Sequence, residues 1–145
     1  MAMNYWVDLY DSETWNESCQ HGLSITGFAE NMRATAERIQ TGDILLCYVV
    51  GVQRWVGALE VIGHSTDTTL VWKKDAYPVR FAVRPIVVLN LEQGVPQSQL
   101  DNRRNPFCVS TAKHALGGMV RASPTRFTHV DDAEAVLAAL KAVAQ

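Results

Sequence analysis

The stretch Thr41-Gly42-Asp43-Ile44-Leu45-Leu46-Cys47-Tyr48-Val49-Val50-Gly51, followed by Trp55-Val56-Gly57-Ala58-Leu59-Glu60-Val61-Ile62-Gly63, decides the fold. Ile44 to Val50 is a continuous apolar run. It is too short for a typical helix and is bounded by glycines, so it reads as a buried strand. Trp55 to Gly63 follows after a short connection containing glycine. The two segments are expected to pair antiparallel, with Ile44–Val50 central in its sheet. Gly57 interrupts the second strand, where glycine marks a bulge or a close backbone approach.

Before this pair, Tyr5 to Leu9 reads as a first strand. Asp11 or Ser12 caps a short helix to about His21, and Gly22 ends it. Gly22 to Phe28 reads as a loop. A second helix is expected over about Asn31 to Gln40, with Met32, Ala36 and Ile39 on one face. After the pair, Val79, Phe81 and Val83 alternate with Arg80, Ala82 and Arg84, the period of a strand. Pro85 belongs at an edge or a bulge, with Ile86 to Leu89 continuing beyond it. Residues 90–124, rich in Gln, Asn, Gly and Pro, carry no clear pattern. A short strand around Arg126 to His129 leads into a last helix. Asp131 and Glu134 start that helix like a capping box, and Val136, Leu137, Leu140 and Val143 form its apolar face. The expected fold class is mixed α/β: a small, mostly antiparallel barrel with flanking helices, filling residues 1–145 as one domain.

Composition narrows the function classes. A hydrophobic content of 48% excludes a disordered chain. No apolar run approaches the roughly 20 residues of a membrane span, and the N-terminus lacks a signal-peptide pattern, so a cytoplasmic location is expected. Cys19, Cys47 and Cys108 match neither a metal-ligand spacing nor a disulfide framework. The net charge of −2 is an average of unlike parts. Residues 1–30 carry Asp8, Asp11, Glu13, Glu17 and Glu30 and no Lys or Arg. Residues 101–130 carry Arg103, Arg104, Lys113, Arg121 and Arg126 against Asp101 alone. Such asymmetry permits one basic face.

No catalytic motif stands out. A Walker-type loop, a G-x-S-x-G elbow, H-E-x-x-H and G-x-G-x-x-G are all missing from the sequence. Neither a metal site nor a cofactor is expected. His21, His64, His114 and His129 read as structural or surface residues, since a site needs a convergent cluster. The aromatics are more informative. Trp6 sits in the first strand among apolar neighbours and reads as core. Trp15 lies among Glu13, Asn16 and Glu17. Trp55 opens a strand behind Gln53-Arg54, with Tyr48 in the strand before it. These three suit core or pocket equally. Trp72 falls in a loop beside Lys73 and Lys74. An aromatic slot suits a nucleobase, because stacking contributes about 1–3 kcal/mol per base.

The order of this punctuation resembles the EVE domain family, a branch of the PUA superfamily related to the YTH readers of methylated RNA. The elements that carry the resemblance are Asn4-Tyr5-Trp6, Glu13-Thr14-Trp15, Gly27-Phe28, Thr41-Gly42-Asp43, the run to Tyr48, Gly57 to Val61, and Tyr77-Pro78-Val79-Arg80-Phe81. The resemblance covers residues 3–89 well and extends more weakly to the end. It implies a PUA-like barrel and a non-enzymatic module that reads a modified base in DNA or RNA. By position it implies a ligand pocket of Trp15, Ser24, Ile25, Thr26, Gly27, Tyr48 and Trp55. Arg33, Arg54, Arg103, Arg104 and Arg121 are the candidates for phosphate contacts. This chain departs from many relatives in two places. Ala29, Asn31 and Ala34 stand where basic residues often follow the glycine matching Gly27, and Thr26 stands where some relatives carry tryptophan. The alternative function is binding of a small planar metabolite or free base without nucleic-acid contacts. A basic rim around the pocket separates the two readings.

Overall fold

A computed structural model of the chain describes residues 3–73, 77–100 and 123–144. Strand β1 (Tyr5–Tyr10) leads into helix α1 (Ser12–Gln20), strand β2 (Ile25–Phe28), a 3-10 turn (Glu30–Met32) and a single helical turn, α2 (Arg33–Ala36). Strands β3 (Ile44–Val49), β4 (Arg54–His64) and β5 (Val79–Val88) follow. Then come the short strand β6 (Val95–Pro96), helix α3 (Gln97–Leu100), strand β7 (Thr125–Arg126) and helix α4 (Val130–Ala144).

The strands form one curled sheet in the order β2-β5-β4-β3-β1-β7, with β6 added beside β4. Pairing is antiparallel except between β1 and β3. The expected central hairpin is present: β3 lies between β1 and β4, with Ile44 opposite Glu60 and Leu46 opposite Ala58. Gly51 takes φ +93° in the connecting turn, a conformation that costs an L side chain energy. The turn into β3 is fixed by Asp43, which is 2% exposed. Its carboxylate accepts from Trp6 Nε1 at 3.0 Å, Asn4 N at 3.1 Å and Gln40 N at 2.9 Å.

Alternation along the strands divides the core into two apolar clusters. Tyr5, Val7, Ile44, Leu46, Tyr48 and Trp55 face outward beneath α4, meeting its Ala133, Val136, Ala139 and Leu140. Trp6, Tyr10, Leu45, Cys47, Val49, Leu59 and Phe81 face the barrel interior with Trp15 of α1. Of the expected apolar face of α4, Val136 and Leu140 are buried, Leu137 is partly buried and Val143 is exposed.

The sequence reading and the structure differ most in three segments, and the strand expected around Arg126 to His129 is Thr125–Arg126. Gly22–Phe28, expected as a loop, contains β2. Its Ile25 to Phe28 lie opposite Ala82 to Val79 of β5, a non-local pairing that overrides a local composition of Ser, Thr and Gly. The helix expected over about 31–40 shortens to the 3-10 turn and α2, and only Ala36 of the two is buried. With so little apolar surface to bury, packing does not extend it. Residues 95–100, where no element was legible, supply β6 and α3. Pro85 sits within β5 beside a register shift between Ala58 and Leu59 of β4, as a bulge position requires.

Candidate nucleic-acid interface

Trp15 and Trp55 lie in separate clusters on opposite faces of the sheet. Trp15 is fully buried in the interior cluster. Its Nε1 donates to Leu89 O at 3.1 Å, and its ring meets Tyr10 edge-on at 5.1 Å. A Cβ at Gly57 would stand 2.9 Å from Trp15 Cη2, so this glycine makes room for the ring. Trp55 is fully buried on the other face of the sheet, edge-on to Tyr48 at 4.9 Å, with Nε1 donating to Gln97 Oε1 at 2.7 Å. The expected pocket of Trp15, Tyr48 and Trp55 is therefore corrected: all three are core. Trp15 is buried despite polar neighbours because Glu13, Asn16 and Glu17 point elsewhere on the helix, while Thr14, Trp15 and Ser18 are buried. Trp55 is closed off by the Tyr48 and Phe127 rings and the Gln97 side chain, within the cluster beneath α4.

A different cavity is bordered by the rings of Trp72 and Tyr77, from the connection between β4 and β5. Together with Leu9, Tyr10, Asp11 and Thr14 at the β1–α1 junction and Gly27 of β2, they enclose about 40 Å³. Four contacts fix the Trp72 ring. Its Nε1 donates to Ser18 Oγ at 2.9 Å. Tyr77 meets it edge-on at 5.3 Å. The Arg80 guanidinium carbon lies 5.2 Å from the ring centroid, a cation–π placement. Gly27 completes the set, since a Cβ there would lie 3.0 Å from Trp72 Cη2 and 2.9 Å from Tyr77 Cβ. Among the implied site residues that are described, Gly27 alone borders this cavity. Thr26 is buried directly behind it, Ile25 is buried, and Ser24 is exposed.

The start of α1 supplies the polar side. Asp11 is the N-cap, accepting from Thr14 N at 2.7 Å, and Asp11 N donates back to Thr14 Oγ1 at 2.9 Å. Glu17 holds the same connection from α1, accepting from Lys73 N at 3.0 Å. Behind the wall lies a buried carboxyl, Asp8, bonded to the Tyr10 and Thr26 hydroxyls. Burial raises Asp8, the Thr26, Tyr10 and Ser123 hydroxyls offset part of the rise, and the carboxyl stands at about 7. Burial first, then the charge of Asp8, raises Tyr10.

The basic candidates separate. Arg33 lines an open cleft of about 400 Å³ with Glu37, His64, Ser65, Pro78, Val79 and Arg80, and its guanidinium also pairs with Glu30. The chain passes from Tyr77 on the cavity to Pro78 on this cleft. Arg54 borders a different depression with Val52, Leu91 and Glu92, and donates to Leu91 O at 3.3 Å and Glu92 O at 2.7 Å. Arg103, Arg104 and Arg121 lie outside the described residues.

The sequence reading missed Trp72 and Tyr77. The available signal was a tryptophan in a polar loop flanked by lysines, a setting that offers a ring no local core.

No protein-family model matches this chain, and no curated protein matches it. Its likeness is to solved structures. The YTH domain of the Zygosaccharomyces rouxii MRB1 protein, in complex with N6-methyladenosine RNA, superimposes with a TM-score of 0.65 at 18% identity, over 96% of this chain and 87% of that one. The Pho92 YTH domain in complex with m6A gives 0.62 at 12% identity, over 94% and 86%. Protein Atu2648 from Agrobacterium tumefaciens gives 0.58 at 18% identity, over 94% and 92%. The fold is thus a mixed α/β, YTH- and PUA-like half-barrel with flanking helices.

Proposed function

We propose that this chain is a non-catalytic, EVE-type reader of a modified base in RNA, and that Trp72 and Tyr77 are its stacking aromatics. The observation that carries this reading is the Trp72 ring, 3% exposed and held across Gly27 in the wall of a small cavity beside the start of α1. The fold likeness to YTH domains solved with N6-methyladenosine RNA and with m6A supports RNA over DNA. A cavity of about 40 Å³ is far below the about 300–1,000 Å³ of an ordinary ligand pocket. It suits the modification itself, a methyl-sized group. A whole base stacks on Trp72 only if Tyr77 gives up its edge contact. That contact is worth about 0.5–1.5 kcal/mol, and base stacking at about 1–3 kcal/mol offsets it.

Flanking phosphates are assigned to the Arg33 cleft. The exposed Arg33–Glu30 pair contributes little, so a phosphate can replace the carboxylate. Arg54 is engaged by two carbonyls on a separate depression, and this favours a second reading, a free modified base or nucleoside in the same cavity. Titrating the protein with oligonucleotides carrying different modified bases, and with the free nucleosides, at several salt concentrations tests both. RNA reading is expected to give selective binding whose log K falls with log salt by about 0.7 per phosphate held. Nucleoside binding with no salt slope would establish the second reading, and no selectivity between modified and plain oligonucleotides would sink the first.

A further inference from the structure

Tyr10 lines the cavity, and behind it three buried oxygens form a closed ring. Tyr10 Oη lies 3.0 Å from Asp8 Oδ2 and 3.0 Å from Thr26 Oγ1, and Thr26 Oγ1 lies 2.6 Å from Asp8 Oδ2. Asp8 is 1% exposed and Thr26 is fully buried. Burying a carboxylate with no cation beside it is costly, so the dry site favours the protonated acid, which donates to one oxygen while accepting from another. Ionised, the carboxyl can only accept, and its charge stands uncompensated among neutral groups.

This ring joins strands that do not pair. β1 and β2 are separated along the sheet by β5, β4 and β3, and the curl of the barrel brings Asp8 and Tyr10 to Thr26. Thr26 precedes Gly27, the residue beneath Trp72 and Tyr77. The groups facing Asp8 are Tyr10 on its own strand, Thr26 of β2, the Cys47 thiol of β3 and the Ser123 hydroxyl before β7. Among the described residues, no Lys, Arg or His pairs with the carboxyl.

We propose that Asp8 is a proton-carrying positioning residue of the cavity: its neutral form fixes Tyr10 and the Thr26–Gly27 backbone, and its ionisation loosens them and weakens ligand binding. This rests on the cavity being the ligand site. The test follows the Gly27 amide and Tyr10 ring by NMR across about pH 5.5 to 8.5 in the parent, Asp8→Asn and Thr26→Val. Binding of an oligoribonucleotide with one N6-methyladenosine is measured over the same range. In the parent, both signals should titrate together with a midpoint near 7. Asp8→Asn should abolish that titration. Thr26→Val should move the midpoint upward, because it removes a donor that favours the ionised form. Affinity should fall about tenfold per pH unit above the midpoint in the parent and stay flat in Asp8→Asn. A titration that persists in Asp8→Asn, a Thr26→Val midpoint that moves down, or flat parental binding while Gly27 titrates would overturn the proposal. If the NMR titration behaves as stated but no oligonucleotide binds at any pH, the proton-linked ring stands and the ligand assignment fails.

Discussion

Trp72 Nε1 donates to Ser18 Oγ at 2.9 Å, which ties the aromatic wall of the cavity to helix α1 across 54 residues of sequence. Ser18 is 1% exposed, so no water replaces it when it is lost. Ser18→Ala should therefore cost about 1–3 kcal/mol for the orphaned indole N–H. Trp72→Phe instead takes the donor from the buried Ser18 hydroxyl and leaves a cavity beside it, so it should cost at least as much. Both should weaken binding of a modified oligonucleotide. Chemical denaturation paired with a binding titration checks this, and binding unchanged in both variants would move the site away from Trp72.

Gly27→Ala tests the close approach. The added methyl would stand 2.9 Å from Tyr77 Cβ and 3.0 Å from both Tyr77 O and Trp72 Cη2. Two of these atoms belong to backbone or a ring root, which yield little. Overpacking should cost about 1–3 kcal/mol and displace the Trp72 wall. A variant with full stability and full affinity would show that the rings sit farther from β2.

Trp15→Ala and Trp55→Ala should each cost about 3–5 kcal/mol, since both rings are fully buried. The losses should be close to additive, because the rings occupy clusters on opposite faces of the sheet. Folded Trp55→Ala protein should retain ligand affinity, since Trp55 lies on the face of the sheet away from the cavity-lining Tyr10. Thermal unfolding of the single and double variants decides, and a stable Trp55→Ala protein that fails to bind would restore Trp55 to the site.

Arg80 organises the connection that carries both cavity aromatics. It is 8% exposed, and its guanidinium donates to Tyr77 O at 3.3 Å, Asp67 O at 3.0 Å and Thr69 O at 2.7 Å. Lysine lacks the planar fork that serves several acceptors at once. Arg80→Lys should cost about 1–3 kcal/mol and speed amide exchange in the β4–β5 connection while leaving β3 and β4 protected. Exchange that is unaltered there would remove Arg80 from this role.

The pH dependence of stability follows from the same buried carboxyl as the cavity's. Asp8 lies at about 7 in the folded chain against an ordinary value of 3.8. Between these values the folded state holds a proton that the unfolded chain has released. Stability should therefore fall as pH rises from about 4 to about 7, by up to about 1.4 kcal/mol per pH unit from this group, and then level off. Asp8→Asn should flatten that segment of the curve. Urea unfolding at a series of pH values measures it.

Sequence alone determined the elements whose signals are local. The apolar run to Val49, the hairpin into β4, the Asp11 cap of α1, the Asp43 turn and the alternation of β5 are legible because period, cap and turn chemistry operate within a few residues. Tertiary structure decided which aromatics meet a ligand. Trp15 and Trp55 became core because Gly57 opens space for one and Phe127 and Gln97 close over the other, contacts lying tens of residues away. Trp72 became a cavity wall because β2 pairs with β5, bringing Gly27 beneath a ring that its own neighbours leave in a polar loop. Local polarity reports the average surroundings of a segment. The face on which one ring lies is set by strand register and by what crosses it, and neither is written within a few residues of that ring.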